Sequence, residues 1–194
     1  MNGFERRANQ KKENILQAAQ RFIMAHGLRG TTIQMMAKEA NVSQVSIYNY
    51  FEHKDRVIYE VMKRLLEVFT QRFEAIVYDA SRDFDEKTDQ LLRLFTQAIE
   101  DVHEDVVAYV FNPRKTMMKS LLDWYVDNRI MMGMDHLMRE GKKEGVVNQR
   151  LSEHAIITLL GLLKAFDYNT HSNDKAAFIG FVQILFYGIK GHKK

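Results

Sequence analysis

The sequence predicts an all-α fold, on three observations. One Pro and ten Gly in 194 residues leave long stretches without a helix breaker. Apolar residues recur at three- and four-residue steps along most of the chain. Thr32, Ser43 and Ser152 stand just ahead of such runs, where a hydroxyl can accept from a free first-turn amide. With 46% apolar and 27% charged residues, 12 Phe, 8 Tyr and 11 Met, the composition is that of a globule with a sizeable core, enough for one large or two small domains. There is no Cys, hence no disulfide or thiolate metal site, which suits a reducing, cytoplasmic setting. The opening MNGFERRANQKKEN has no apolar secretory core, and the longest near-continuous apolar stretch, Ala155 to Leu163, is too short to span a bilayer. No membrane partner is expected.

The elements follow in order. Ile15, Ala18, Ala19, Phe22 and Ile23 share a helical face over about 10–26, closed by Gly27. Thr32 caps a short helix over 33–39, and Ala40-Asn41-Val42 interrupts it, with Asn41 suited to a left-handed conformation. Ser43 starts a third helix, 43–50, with Ile47 and Phe51 on one side and Gln44, Ser46, Asn49 and Tyr50 elsewhere. Lys54 opens a long amphipathic helix reaching about residue 80. The polar stretch 81–86 (SRDFDE) breaks the chain, and Leu91, Leu92, Phe95 and Ile99 then repeat helically to about His103. After a short apolar stretch, Val106 to Phe111, Asn112-Pro113 starts a helix through Met117, Leu121, Trp124, Asn128, Met131 and Met138 to about Glu140, ended by glycines 141 and 145. Two further helices run from Ala155 to Phe166 and from Ala176 to Ile189.

Charge is unevenly divided. Residues 1–64 hold 11 Lys+Arg against 6 Asp+Glu, whereas residues 65–194 hold 17 against 19. An excess of five positive charges on the front third suits a phosphate-seeking module, since neutralising phosphates releases condensed counterions; a solvated basic surface would look the same. The helical pattern is more specific. Two short helices joined by a tight turn and backed by a packing helix make a helix-turn-helix. Its second helix must enter the major groove, so its outer face has to be slim and polar while its inner face anchors it. Gln44, Val45, Ser46 and Asn49 fit the outer requirement and are the candidates for base readout; Ile47 and Phe51 fit the inner one.

The stretch Thr31-Thr32-Ile33 through Ala37, then Ala40-Asn41-Val42-Ser43, then Ile47-Tyr48-Asn49-Tyr50-Phe51 and Lys54 resembles the DNA-binding domain of TetR-type, tetracycline-repressor-like transcriptional regulators. Asn41 stands where that family often has Gly, and Val45 takes a position usually small or polar; a valine there can meet a thymine methyl. The resemblance implies phosphate contacts for Thr32, Ser43, Tyr48, Tyr50 and Lys54, with Gln34 in either class. Tyr48 also fits as a packing aromatic, and Ser43 as a structural cap. It implies a DNA-binding domain over 1–53, a connecting helix over 54–80, and a helical ligand-binding and dimerisation domain over 81–194. It further implies a regulator, by family default a repressor, that leaves a palindromic operator when a small effector binds. A DNA-binding protein without small-molecule control, architectural or partner-regulated, is the alternative.

The last two helices are apolar almost all round, which implies a second burial surface. Ile156, Leu159, Leu160, Leu163, Phe178, Phe181, Val182 and Leu185 are the candidates for a homodimer interface, which the resemblance also implies; a monomer with a larger core is the alternative. Phe95, His103, Tyr109, Phe111, Met117, Leu121, Trp124, Tyr125, Asn128, Met131 and Met132 are the candidate lining for a small apolar or amphipathic effector, although the same residues also describe plain core. Asn128, an amide on an apolar stripe, wants a partner. No GxSxG, HExxH or phosphate-loop motif is present, and the carboxylate pairs Asp101/Asp105 and Asp123/Asp127 fit a solvated face better than a metal site. Neither catalysis, metal nor cofactor is expected.

Overall fold

The computed structural model describes residues 3–111, 116–150 and 175–189, with Ser152, Thr158 and Gly161. The Asn112-Pro113 start, the helix expected over 155–166 and the candidates Ile156, Leu159, Leu160 and Leu163 lie outside these residues, as do the side chains of Phe178 and Leu185. The all-α expectation holds. The elements are α1 (Gly3–Gly30), α2 (Ile33–Glu39), α3 (Gln44–Phe51), α4 (Lys54–Val77), α5 (Phe84–Glu100), α6 (Glu104–Val110), α7 (Thr116–Tyr125), one π-helical turn (Val126–Ile130), α8 (Met131–Lys143) and α9 (Lys175–Ile189). No helix among the described residues is long and apolar enough to cross a membrane. The chain divides into two compact units: Met1–Leu65 with Asp101–Val106, and Leu66–Glu100 with Val107–Lys194.

In the first unit α1 packs against α2 and α3. Its core is built from Ile15, Ala18, Ala19 and Ile23 of α1, Met36 and Ala37 of α2, Ile47 and Phe51 of α3, and Val57, Ile58, Val61 and Met62 of α4, all buried. Burying each large one contributes about 1.5–3 kcal/mol. Helix α1 starts earlier than the expected residue 10 because its first turns have no apolar stripe to announce them; side-chain bonds from Gln10 to Asn14 and from Gln17 to Glu13 line the exposed surface of the turns that follow. Arg64 donates to both carboxylate oxygens of Glu13, at 2.8 and 2.5 Å, tying α4 to α1. This guanidinium holds the Glu13 carboxyl below the usual carboxylate range. Gly27, at φ 71°, interrupts the helical backbone, and the buried Thr31 hydroxyl donates to its carbonyl at 2.7 Å.

The second unit gathers Phe73, Val77, Phe84, Leu91, Ile130, Met134, Leu137, Met138, Val147, Val182 and Phe186 into one apolar core. Two sequence expectations change here. The SRDFDE stretch is a break only through Asp83, and its second half already belongs to α5: Asp83 accepts from the Glu86 amide at 2.8 Å while Glu86 accepts from the Asp83 amide at 3.3 Å, a reciprocal cap. Gly141 does not end its helix either. A Cβ there would lie 2.5 Å from Val147 and 2.6 Å from Phe84, so glycine serves close packing inside the helix. Gly145, at φ 76°, makes the actual stop, with the Val146 amide returning to the Gly141 carbonyl at 3.0 Å. Lys87 is buried and pairs with Glu140 at 2.6 Å, joining α5 to α8.

Candidate nucleic-acid interface

The geometry of α2 and α3 follows from local chemistry. Thr32 sits extended at φ −119°, ψ 157°, and its hydroxyl accepts from the Met35 amide at 3.2 Å, starting α2. The turn closes with the Val42 amide on the Ala37 carbonyl at 3.0 Å, and Asn41 takes φ 52°, the left-handed position the sequence assigned to it. Ser43 caps α3 by accepting from the Ser46 amide at 3.1 Å, and its hydroxyl also meets the Ser46 hydroxyl at 2.9 Å. Glu52, at φ 64°, ends α3 with its amide on the Tyr48 carbonyl, and the Arg56 amide donates to His53 Nδ1 at 3.1 Å as α4 begins.

Helix α3 thereby acquires two unlike faces. Ile47 and Phe51 are buried; Val45 is 65% exposed, Tyr48 is 48% exposed, and Gln44 and Asn49 are exposed beside them. Ser46 is half-buried under Ser43. Thr32 and Gln34 are exposed on the first turn of α2 and its cap. Tyr50 is half-buried, with the Lys12 ammonium 5.6 Å from its ring centre. Lys54 donates to the Leu28 carbonyl at 2.7 Å, leaving two of its three N–H groups for an anion.

A contact that sequence reasoning did not identify completes this unit. Asp105, placed here with residues 101–106, accepts from the Leu28 amide through Oδ1 and the Arg29 amide through Oδ2, each at 3.0 Å. His103 Nδ1 lies 2.9 Å from Asp105 Oδ1. Burial pushes the Asp105 carboxyl up, but the two amides and His103 together outweigh it and hold the group below its ordinary value. Gly27 makes room for the arrangement, since a Cβ there would lie 2.5 Å from Asp105 Oδ1 and 2.6 Å from His103 Nδ1. The 77 positions that separate Leu28 from Asp105 leave no local signal; only the glycine after His26 marks the place.

The effector candidates are dispersed by the structure. Phe95 packs edge-on to Phe69 at 5.0 Å and near Phe186 at 5.8 Å, and it lies against the second unit's core with Phe111 and Met131. Tyr109 and Leu121 are half-buried. Tyr125 is buried and donates to Glu67 at 2.9 Å. Met117, Trp124 and Met132 are exposed, His103 sits with the first unit, and the Asn128 amide donates to the Trp124 carbonyl at 2.8 Å beside the π turn. Arg129, from the same turn, donates to both carboxylate oxygens of Glu74 and reaches Glu67 at 3.5 Å, so three charged groups missed in the sequence form one network. Of the dimer candidates that are described, Val182 is buried with Phe186, and Phe181 packs at the edge of the core. Ile184 and Tyr187 on the same helix are exposed.

Residues 15–61 match the model of the family described as bacterial regulatory proteins, tetR family. The HTH-type transcriptional repressor KstR2 of Mycolicibacterium smegmatis is 28% identical over 99 residues, 51% of this chain and 48% of that protein, so the alignment spans about half the length of this curated relative. The fold is similar to that of the transcriptional regulator FadR from Bacillus subtilis in complex with stearoyl-CoA, at TM-score 0.63 and 17% identity over 91% of this chain and 98% of that one. A transcriptional regulator from Cytophaga hutchinsonii reaches TM-score 0.70 at 16% identity, covering 92% of this chain and 98% of that one.

Proposed function

From the match of residues 15–61 to the family described as bacterial regulatory proteins, tetR family, we propose that the chain is a transcriptional repressor of that family that reads a palindromic operator as a homodimer and releases it when a small effector binds the helical unit. The observation that carries the DNA-binding part is the division of α3: Gln44, Val45 and Asn49 face outward with no formal charge, while Ile47 and Phe51 fasten the helix from behind. Gln can make bidentate bonds to adenine and Val can meet a thymine methyl, each good bidentate contact discriminating by ~1–3 kcal/mol. Thr32, Ser43, Tyr48, Tyr50 and Lys54 set the register on phosphates. Two such units about 34–36 Å apart would read successive major grooves.

The effector is an apolar or amphipathic molecule. The aromatic cluster of Phe69, Phe73 and Phe95 supports this class, and so does the similar fold of FadR, whose crystal structure holds one such compound, stearoyl-CoA. Exposed Ile184 and Tyr187 on α9, opposite buried Val182 and Phe186, support a second apolar surface in the dimer. Residues 101–106 give the coupling a physical route. They belong to the DNA-binding unit through Asp105, yet follow directly on α5 and include the first residues of α6. An effector that favours one position of these helices needs a coupling of only ~1–3 kcal/mol.

The test is selection from a random DNA pool at near-physiological salt, followed by challenge of the bound DNA with stearoyl-CoA. Enrichment of a palindrome and its release by micromolar acyl-CoA are expected. Salt-sensitive binding without enrichment would replace operator reading by general DNA association, and enrichment without release would remove this effector class.

A further inference from the structure

The N-terminal turns of α1 carry a cluster of cations ahead of the residues that match the family. Arg6, Arg7, Lys11 and Lys12 are all exposed on a helix that begins at Gly3. Local helix physics does not ask for Arg6 and Arg7 there: cations near a helix N-terminus oppose its dipole, and Glu5 is the acidic residue of the first turn. Neutralisation from within the fold is also diverted, because Glu13, the carboxylate next to Lys12, is held by the Arg64 guanidinium at 2.5 Å. The direction of the cluster is set by Lys12, whose ammonium stands over the ring of Tyr50 on α3. At 3.6 residues per turn, Arg7 and Lys11 lie about 40° apart on the wheel, with Lys12 a further ~100° round, so the three share one side of α1.

From these placements we infer that Arg7, Lys11 and Lys12 form a second DNA contact, on backbone phosphates flanking the stretch covered by the helix-turn-helix. The inference rests on the DNA-binding reading of α3 and extends it. Arg7 and Lys12 are about 7.5 Å apart along the helix axis, against an axial advance of ~3.4 Å per phosphate on one strand, so with their long side chains this side of α1 can reach two phosphates. Such contacts are blind to base sequence: they lengthen the footprint and raise affinity on every flank equally.

The experiment compares two labelled duplexes: the palindrome recovered by selection, trimmed to its enriched positions, and the same palindrome with eight arbitrary base pairs added at each end. The wild-type chain, R7A/K11A, the conservative R7K/K11R and the charge-matched R72A/R93A are titrated over a range of salt. Arg72 and Arg93 are exposed residues of the second unit. On the long duplex R7A/K11A is expected to shallow the slope of log affinity against log salt by about 0.9 per lost phosphate contact, about 1.8 per bound protomer. It should leave the short duplex and the melting temperature unchanged, and R7K/K11R and R72A/R93A should keep the wild-type slope. An unchanged slope for R7A/K11A on the long duplex overturns the inference alone, and so does an equal loss in R72A/R93A, which would mean net charge rather than place. A wild-type chain that binds no DNA even at low salt overturns the DNA-binding reading and this inference with it.

Discussion

Substituting Ala at Gly27 and at Asp105 removes the same structure from opposite sides, which makes their combination informative. Asp105 accepts two amides at 3.0 Å, that of Leu28 partly buried and that of Arg29 exposed to water. A charge-assisted bond of the first kind is worth ~1.5–3 kcal/mol and the solvated one little, so Asp105→Ala should cost about 2 kcal/mol in the first unit. Gly27→Ala places a side chain at φ 71°, ψ −178°, a region open essentially only to glycine, which costs ~1–2 kcal/mol. Its Cβ would also stand 2.5 Å from Asp105 Oδ1 and must expel the carboxylate, bringing the total to about 3–4 kcal/mol. The double variant then loses nothing further, at about 3–4 kcal/mol where additivity would give about 5–6. Urea unfolding followed by circular dichroism measures the cycle, and faster exchange of the Leu28 and Arg29 amides should accompany each substitution. The pH dependence has a fixed sign. The folded Asp105 carboxyl is held below its unfolded value, so its contribution is complete above about pH 4 and is lost as pH falls below that. The wild-type advantage over Asp105→Asn should shrink in the same window. Costs that add within about 0.5 kcal/mol would refute the shared contact.

Three further outcomes are expected. Gly141→Ala forces a methyl against Phe84 and Val147 and should destabilise the second unit by ~1–3 kcal/mol in thermal unfolding; a neutral result would mean that the packing around Gly141 is loose. Arg129→Met leaves Glu67 and Glu74 without their cation at a partly exposed position, costing about 1 kcal/mol. Because Tyr125 and Arg129 hold the Glu67 carboxyl below its ordinary range, that deficit should fade as pH drops below about 4, and a deficit constant from pH 7 to 3 would contradict the charge network. Lys54→Ala removes the bond to the Leu28 carbonyl as well as a phosphate contact; it should lower first-unit stability by about 1–2 kcal/mol and shallow the salt slope by about one unit, and a stability loss with an unaltered slope would confine Lys54 to a structural role.

What the sequence announced was the structure made by neighbours in the chain. Thr32, Asn41 and Ser43 act within three or four residues of themselves, so the capping and turn chemistry of α2 and α3 could be read directly. The Asp83–Glu86 cap is equally local but was hidden by its composition, because a run of charges looks like a loop until the reciprocal bonds are seen. Gly141 misled for another reason. A glycine near a helix end suggests a stop, and only the approach of Phe84, 57 positions earlier in the chain, shows that it is a packing residue. The Asp105 contact with Leu28 and Arg29 and the Arg129 network with Glu67 and Glu74 join residues far apart in the chain, and periodicity carries no trace of such pairings. The apolar stripe of α7 and α8 was legible, but not its division: Tyr125, Ile130 and Met134 turn inward while Trp124 and Met132 turn outward, with the π turn between Tyr125 and Met131.

The central claim is that the outer face of α3 reads bases. Parallel selections from one random DNA pool with the wild-type chain and with Gln44→Ala address it most directly. The account predicts a palindrome in both, with the variant losing its preference at one symmetric pair of positions and keeping the rest. Identical preferences at every position, or no enriched sequence with the wild-type chain, would contradict it.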